Sequence, residues 1–289
     1  MEYIVNGEKY EVKPEVLGYD DIRQMVPQLD GHPKLVKWLL HLLKLDKVNR
    51  VHAACADTPG PQFTWRLLSE QFRIKLDVKN EHQLDNLPEG AFITISNHAL
   101  GALDGISLIA LVGSRRPKFK VMVNMILGHI TAMAPNFITV DQSASTDPHK
   151  RAVSVAGIRM ALRQLAQGEP LGFFPAGAIS KVDRHGLTHD REWQESVLQI
   201  IRRAKVPVIP IFFHDKNSLL SDIASYIWWP LRSILLPREV FRKEGKTLHI
   251  SVGDIISVEE QEAHSSDTAE LGRFLREKTY ALREGQGRK

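Results

Sequence analysis

From residue 73 onward, short apolar runs of strand length alternate with longer stretches of helical spacing. That alternation is what a mainly parallel sheet requires, because parallel strands cannot be joined by a tight turn and need a crossover, usually a helix. The candidate strands are Ile74 to Val78, Ala91 to Ser96, Phe119 to Val123, Phe137 to Val140, Leu171 to Phe174, Val208 to Phe212 and Leu248 to Val252. The clearest helix among them begins at Asp147-Pro148 and is expected to turn Val155, Ile158, Leu162 and Leu165 inward. Another is expected from Asp267 to Leu282, followed by a frayed tail from Glu284 to Lys289. No linker, repeat or low-complexity tract separates these units. Residues 73–289 therefore read as one α/β domain, a mainly parallel or mixed sheet of about seven strands flanked by helices.

Residues 1–72 read as an N-terminal extension, a hairpin and amphipathic helices that serve membrane or substrate access. Tyr3 and Val5 alternate toward Tyr10 and Val12 across Asn6-Gly7, the dipeptide that best accepts the two positive φ values of a type I′ turn. Asp30 is a candidate N-cap and Pro33 a tolerated first-turn proline. Between Leu35 and Leu45 the polar residues Lys34, Lys37, His41 and Lys44 form one stripe, with Trp38 and the leucines opposite. Such a helix suits a lipid interface, with docking on the core as the alternative. The same two readings hold for Ile223 to Pro237, where Tyr226, Trp228 and Trp229 gather around Arg232. A further amphipathic helix is expected from Gln62 to Phe72.

Charge narrows the partners. Lys plus Arg is 38 against 34 for Asp plus Glu, a net +4, which favours an anionic partner such as a phospholipid surface or a phosphorylated carrier. Arg115-Arg116 and Arg202-Arg203 are isolated pairs without a recognition motif, so nucleic acid is not expected. A single cysteine, Cys55, excludes an intrachain disulfide and a multi-cysteine zinc cluster and fits a reducing compartment. The scattered histidines suggest no metal site. The start, Met1 to Val5, lacks a signal-peptide pattern. The longest stretch free of Asp, Glu, Lys and Arg, Val121 to Val140, contains Asn124, Gly128, His129, Pro135 and Asn136, which a spanning helix tolerates poorly. Membrane contact is therefore expected to be peripheral.

The chemistry concentrates in Ser96-Asn97-His98-Ala99-Leu100-Gly101-Ala102-Leu103-Asp104-Gly105. His98 follows the apolar run Phe92 to Ile95 and precedes the helical run Ile106 to Val112, so it sits just past the carboxyl end of a strand, where open α/β sheets place their sites. A loop kinked at Gly101 can fold Asp104 back onto the imidazole. Asp104 then accepts from Nδ1 and leaves Nε2 to take a proton from a hydroxyl, which is triad logic without a protein nucleophile. The bland alternative is a histidine that merely caps the next helix. Backbone amides near Gly101 or Gly177 are the candidate oxyanion donors.

This block, Asn-His followed by a small loop and Asp, resembles the signature of the glycerophospholipid acyltransferase superfamily, of the 1-acyl-glycerol-3-phosphate acyltransferase type. Three more blocks resemble that family in order: Asn136 to Asp141, Gly172-Phe173-Phe174-Pro175-Ala176-Gly177-Ala178-Ile179-Ser180, and Val206-Pro207-Val208-Ile209-Pro210-Ile211. Together they span roughly residues 70–255. Most members have four residues between His and Asp, whereas five stand here. In this respect the chain looks like the branch often described as hemolysin-like or aminolipid O-acyltransferase, which also reads Pro-Ala-Gly.

The resemblance implies a glycerolipid acyltransferase-like fold and transfer of a fatty acyl group from an acyl carrier protein or coenzyme A thioester, as co-substrate and without a cofactor, to a lysolipid hydroxyl. His98 would be the base and Asp104 its orienting partner. Asn97, Gly101, Phe174, Pro175, Ala176, Gly177, Ser180 and Lys181 would line the substrate site. Ala176 stands where the family has a glutamate, and Asp141 lies where an arginine is expected, so the acceptor is expected to be a lyso-aminolipid with a free 3-hydroxyacyl hydroxyl. Lys181 and Arg184 could supply the missing positive charge. The alternatives are phosphatidic acid synthesis from 1-acyl-glycerol-3-phosphate and a non-catalytic lipid-binding protein. A hydrolase is disfavoured, as no Gly-x-Ser-x-Gly elbow occurs. The expected location is the cytoplasmic face of a bacterial inner membrane. The sequence leaves the oligomeric state open.

Overall fold

The computed structural model describes residues 1–141, 148–183, 186–218 and 229–283. The chain opens with the hairpin β1 (Glu2–Val5) and β2 (Glu8–Glu11), closed by Asn6 and Gly7, both at positive φ as a type I′ turn needs. The helices α1 (Tyr19–Met25), α2 (Pro33–Leu42), α3 (Leu45–Cys55) and α4 (Pro61–Arg66) follow. Pro33 is the first residue of α2, as expected, but His32 occupies the cap position. Asp30 instead accepts the Gly31 amide within the preceding turn. The helix foreseen to Leu45 breaks at Lys44, which is left-handed at φ 63°. The helix foreseen from Gln62 to Phe72 begins at Pro61 and widens into a π-turn over Leu67–Gln71.

The remaining elements are β3 (Lys75–Lys79), α5 (His82–Asp85), β4 (Ile93–Ser96), α6 (Ala102–Leu108), β5 (Lys120–Asn124), β6 (Phe137–Val140), α7 (Pro148–Ala166), β7 (Leu171–Phe173), the short hairpin β8 (Lys181–Val182) and β9 (Thr188–His189), α8 (Glu195–Ala204), β10 (Val208–Phe213), α9 (Trp229–Arg242), β11 (Thr247–Val252), α10 (Val258–Ala263) and α11 (Thr268–Ala281). Seven strands form one mixed sheet in the order β3-β11-β10-β4-β7-β5-β6. The β10–β11 pair is antiparallel and the other five pairs are parallel. Every foreseen strand is present, with ends displaced by at most two residues.

β4 and β10 lie in the middle and are buried on both faces, which is why each reads as an unbroken apolar run. One face packs Phe63, Leu68, Leu103, Leu108, Phe119 and Phe213 beneath the N-terminal helices and α6. The other packs Ile93, Ile95, Phe173, Leu198, Ile201 and Leu275 against α8 and α11. α7 corrects an expectation. Ile158, Ala161 and Leu165 turn inward, whereas Val155 and Leu162 are exposed. Gly157 sets that face, because a Cβ there would lie 2.3 Å from Val140 of β6. The helix therefore rotates to bring its smallest residue against the strand. Among the described residues no helix is long and apolar enough to cross a membrane. The 223–237 segment lies outside the described residues as far as 228, and only the backbone of α9 is described at Trp229 and Arg232.

Candidate active site

β4 ends at Ser96 and delivers Asn97 and His98 to the carboxyl edge of the sheet. Asn97 is fully buried. Its amide donates to the Phe213 carbonyl at 2.9 Å and its oxygen accepts the Phe213 amide at 2.7 Å, so it extends the β4–β10 pairing by one side chain. This corrects its expected place among the substrate contacts: both polar ends are engaged and no face is open. What Asn97 does is fix the point at which the chain leaves the sheet.

The loop then turns at Gly101, whose φ of 74° and ψ of −117° suit only glycine, and enters α6 with Asp104 in its first turn. The turn brings the carboxylate back onto the ring. Asp104 Oδ2 lies 3.1 Å from His98 Nδ1 and also accepts the amides of Leu100 at 2.8 Å and Gly101 at 3.0 Å. Five intervening residues are therefore compatible with the contact, because the glycine absorbs the longer loop. The His98 side chain keeps 20% of its surface exposed while Asp104 has none, and Nε2 meets no hydrogen-bond partner among the described residues. Phe174 stacks on the ring with centroids 4.3 Å apart. Burial pushes the Asp104 carboxyl above its ordinary pKa, opposed by the His98 bond and the two amides. Its other oxygen, Oδ1, is buried without a hydrogen bond, which adds to the cost of ionising it.

The Phe174 to Ser180 loop lies against this pair. Phe174 is half-buried, and Pro175 and Ala176 are buried. Arg191 donates to the carbonyls of Ala176 at 2.7 Å and Gly177 at 3.2 Å, clamping the backbone where the family pattern carries a glutamate. Gly177, at φ 59°, is pressed against Gln194. The candidate oxyanion amides are already engaged: Gly177 donates to the Phe174 carbonyl at 2.9 Å, and the Gly101 amide is held by Asp104. Ser180 is buried too. It donates its amide to the His98 carbonyl at 2.7 Å and its hydroxyl to Asp190 Oδ1 at 2.5 Å, so it ties two loops together and offers no open face to a substrate. Lys181 is exposed in β8, and Arg184 lies outside the described residues.

Sequence reasoning missed Asp190. This buried carboxylate accepts from Ser180 Oγ, from the His98 amide at 3.3 Å and from Trp193 Nε1 at 3.3 Å. Its own backbone is held by Tyr280 and Arg276 of α11. It joins the His98 loop, the Ser180 loop and the C-terminal helix. Asp190 is 92 residues from His98 in the chain, and no local pattern marks it.

The chain belongs to the acyltransferase family: the family model described as Acyltransferase matches residues 23–287. The match agrees with the motif blocks and places the chain in the glycerophospholipid acyltransferase superfamily. Among individual relatives, it is 26% identical over 227 residues to a lyso-glycine lipid O-acyltransferase of Bacteroides thetaiotaomicron, covering 76% of this chain and 79% of that protein. It is 25% identical over 256 residues to a lyso-glycine lipid O-acyltransferase of Phocaeicola vulgatus, covering 86% and 87%. The fold resembles the crystal structure of the 1-acyl-sn-glycerophosphate acyltransferase PlsC of Thermotoga maritima, with a TM-score of 0.52 at 14% identity over 88% of this chain and 90% of that one.

Proposed function

We propose that the protein esterifies the free hydroxyl of a lyso-aminolipid of the glycine-lipid class with an acyl group from an acyl carrier protein or coenzyme A thioester. The observation that carries the reading is the His98–Asp104 contact of 3.1 Å through Nδ1, with no hydrogen bond to Nε2 among the described residues. In this mechanism Nε2 removes the hydroxyl proton as the oxygen attacks the thioester carbonyl. Asp104 holds the Nδ1–H tautomer and stabilises the imidazolium that forms. The imidazolium then returns its proton to the leaving thiolate. Phe174 fixes the ring plane and keeps water from one face of it. General-base assistance of this kind is worth ~10²–10⁴-fold. The lyso-aminolipid acceptor is supported by the two relatives' names and by Ala176, which leaves no glutamate in this loop.

An insoluble acceptor requires access to a membrane, and α2 supports this. Leu35, Trp38 and Leu42, three and four positions apart, are 43%, 58% and 57% exposed, and Lys34, Lys37 and His41 lie on the same helix. In this reading α2 lies in the headgroup region of a bacterial inner membrane, on its cytoplasmic face. The test is purified protein supplied with a lyso-glycine lipid or with 1-acyl-glycerol-3-phosphate, each paired with acyl carrier protein and coenzyme A thioesters and followed by product mass. Diacylated glycine lipid from wild type and none from His98→Ala is the expected result. Preferential formation of phosphatidic acid would replace the acceptor, and an unaltered rate in His98→Ala would remove the mechanism.

A further inference from the structure

The carboxyl edge of the sheet carries a cleft, about 320 Å³ in volume, between the β8–β9 hairpin and the end of β10. Thr188, His214, Asp215, Lys216, Lys243 and Arg283 are among the residues lining it. Among the described lining residues, three basic side chains (Lys216, Lys243 and Arg283) thus face one carboxylate. That carboxylate is shared: Asp215 Oδ1 lies 3.5 Å from the Lys243 ammonium, while Oδ2 accepts the His249 amide at 2.8 Å and lies 3.4 Å from His249 Nδ1. Lys243 is only 6% exposed, so its charge is removed from water with part of its compensation missing. Burial accordingly lowers its pKa, against the pull of Asp215. Arg283 lies over the rings of Tyr280 and Phe212 at 4.9 and 5.5 Å and donates to the Thr188 carbonyl, which occupies only part of its fork of N–H groups. Lys216 donates to the Gly186 carbonyl at 3.0 Å, which places its ammonium at the rim.

A half-buried cluster with excess positive charge is completed by an anion. The cleft's walls start from the residues that hold the catalytic loop. Thr188 is two residues, about 7 Å of extended chain, from Asp190, and His214 follows the Phe213 that binds Asn97. The cleft therefore opens on the same edge of the sheet as His98, and His98 is not among its lining residues. We propose that this cleft binds the phosphate of the phosphopantetheine arm that presents the acyl thioester, an assignment that rests on the acyl-transfer reading above. Both donor types carry that arm, with a chain of amides and methylenes separating phosphate from thioester. A guanidinium fork fits carboxylate and phosphate alike, but a phosphate presents more oxygens to several cations placed around one opening.

The test titrates the full-length protein by calorimetry with phosphopantetheine and with pantetheine, the same arm without phosphate. Loss of charge-assisted contacts predicts that phosphopantetheine binds about 10–100-fold more tightly. The variant Lys216→Gln should diminish that difference while melting like wild type. With acyl-coenzyme A and acyl carrier protein thioesters its KM should rise by a similar factor, and with acyl-pantetheine its kcat and KM should stay put. The double variant His214→Gln, Lys216→Gln should show a larger loss of the same selective kind. Equal affinity for the two arms overturns the proposal, and so does a variant that loses affinity for a carboxylate-headed lysolipid but not for phosphopantetheine. Selective phosphopantetheine binding by a protein that transfers no acyl group would support the site and sink the acyl-transfer reading instead.

Discussion

Replacing Asp104 by Asn removes a charge and leaves an oxygen able to accept, and the structure says what that should cost. A single oxygen of Asp104 accepts from His98 Nδ1 and from the amides of Leu100 and Gly101. Those amides belong to a loop fixed by Gly101, so they hold the oxygen of an asparagine, and not its NH₂, toward the ring. The imidazole therefore keeps the Nδ1–H tautomer, and the penalty is confined to the missing charge. A neighbouring carboxylate shifts a partner's ionisation by ~1–3 pKa units, each worth ~1.4 kcal/mol, so the developing imidazolium loses ~1.4–4 kcal/mol. That corresponds to a fall in kcat of ~10–10³-fold. It is smaller than the ~10⁴-fold seen where the same substitution in a serine-protease triad also flips the tautomer. Asp104→Ala should be worse, because it leaves two buried amides unpaired at ~1–3 kcal/mol of stability each. The assay is thiol release from the acyl donor with acceptor saturating. A loss under ~3-fold for Asn would refute the charge stabilisation assigned to Asp104, since it falls below the least charge effect above. Stability offers an independent check. Burial raises the Asp104 pKa in the folded state, so the carboxyl's contribution is whole below its unfolded pKa and is lost as pH rises through the folded one. The untitratable Asn variant should therefore gain on wild type in melting temperature as pH rises above the ordinary carboxyl range. A difference constant with pH would mean the folded carboxyl is not perturbed.

Asp190→Asn should lower kcat by ~10–10²-fold, the worth of one charged hydrogen bond, with little change in acceptor KM, because it touches the His98 amide and Ser180 and not the substrate. A rise in KM alone, seen in steady-state kinetics, would count against it as a positioning residue. Gly101→Ala should cost ~1–3 kcal/mol in backbone strain and more from contact, since its Cβ would lie 2.8 Å from Leu236 and 3.0 Å from Ile179. Denaturant unfolding at wild-type midpoint would show that the loop relaxes freely. Trp38→Glu should weaken binding to anionic vesicles by ~30–100-fold in sedimentation, from ~2–3 kcal/mol for the ring area now facing solvent, 58% of the residue. Unchanged partitioning would place the lipid contact elsewhere.

What the sequence made legible follows from how locally each feature is determined. Strands β4 and β10 are buried on both faces, so their apolar runs announce them whatever surrounds them. The His98–Asp104 pairing is equally local, being the product of one glycine and one helix start within seven residues. The inward face of α7 was misread for a different reason. Hydrophobic spacing assigned Val155 and Leu162 to the core, but packing against β6 selects the side on which Gly157 permits close approach. An absent side chain thus decides the rotation of a helix, and apolar periodicity gives glycine no weight.

The site residues divide in the same way. Asn97 and Ser180 stand inside recognisable motifs, which suggests substrate contact, yet folding turns both toward backbone and carboxylate partners. Asp190 stands in no motif and anchors both loops. These observations share a cause. A base that must present Nε2 to a hydroxyl within a few tenths of an ångström needs its loop held from several directions. The supports come from wherever the chain returns to the carboxyl edge of the sheet: Phe213 at the end of β10, Asp190 after β9, and Tyr280 and Arg276 from α11. Only the first lies beside a motif strand. The α11 contacts have a consequence for the whole reading. If the imidazole is aimed by Asp190, and Asp190 by α11, then loosening the C-terminal helix should depress turnover before it unfolds the sheet. Tyr280→Phe, which removes only the hydroxyl bonded to the Asp190 amide, is the smallest change that separates those two effects.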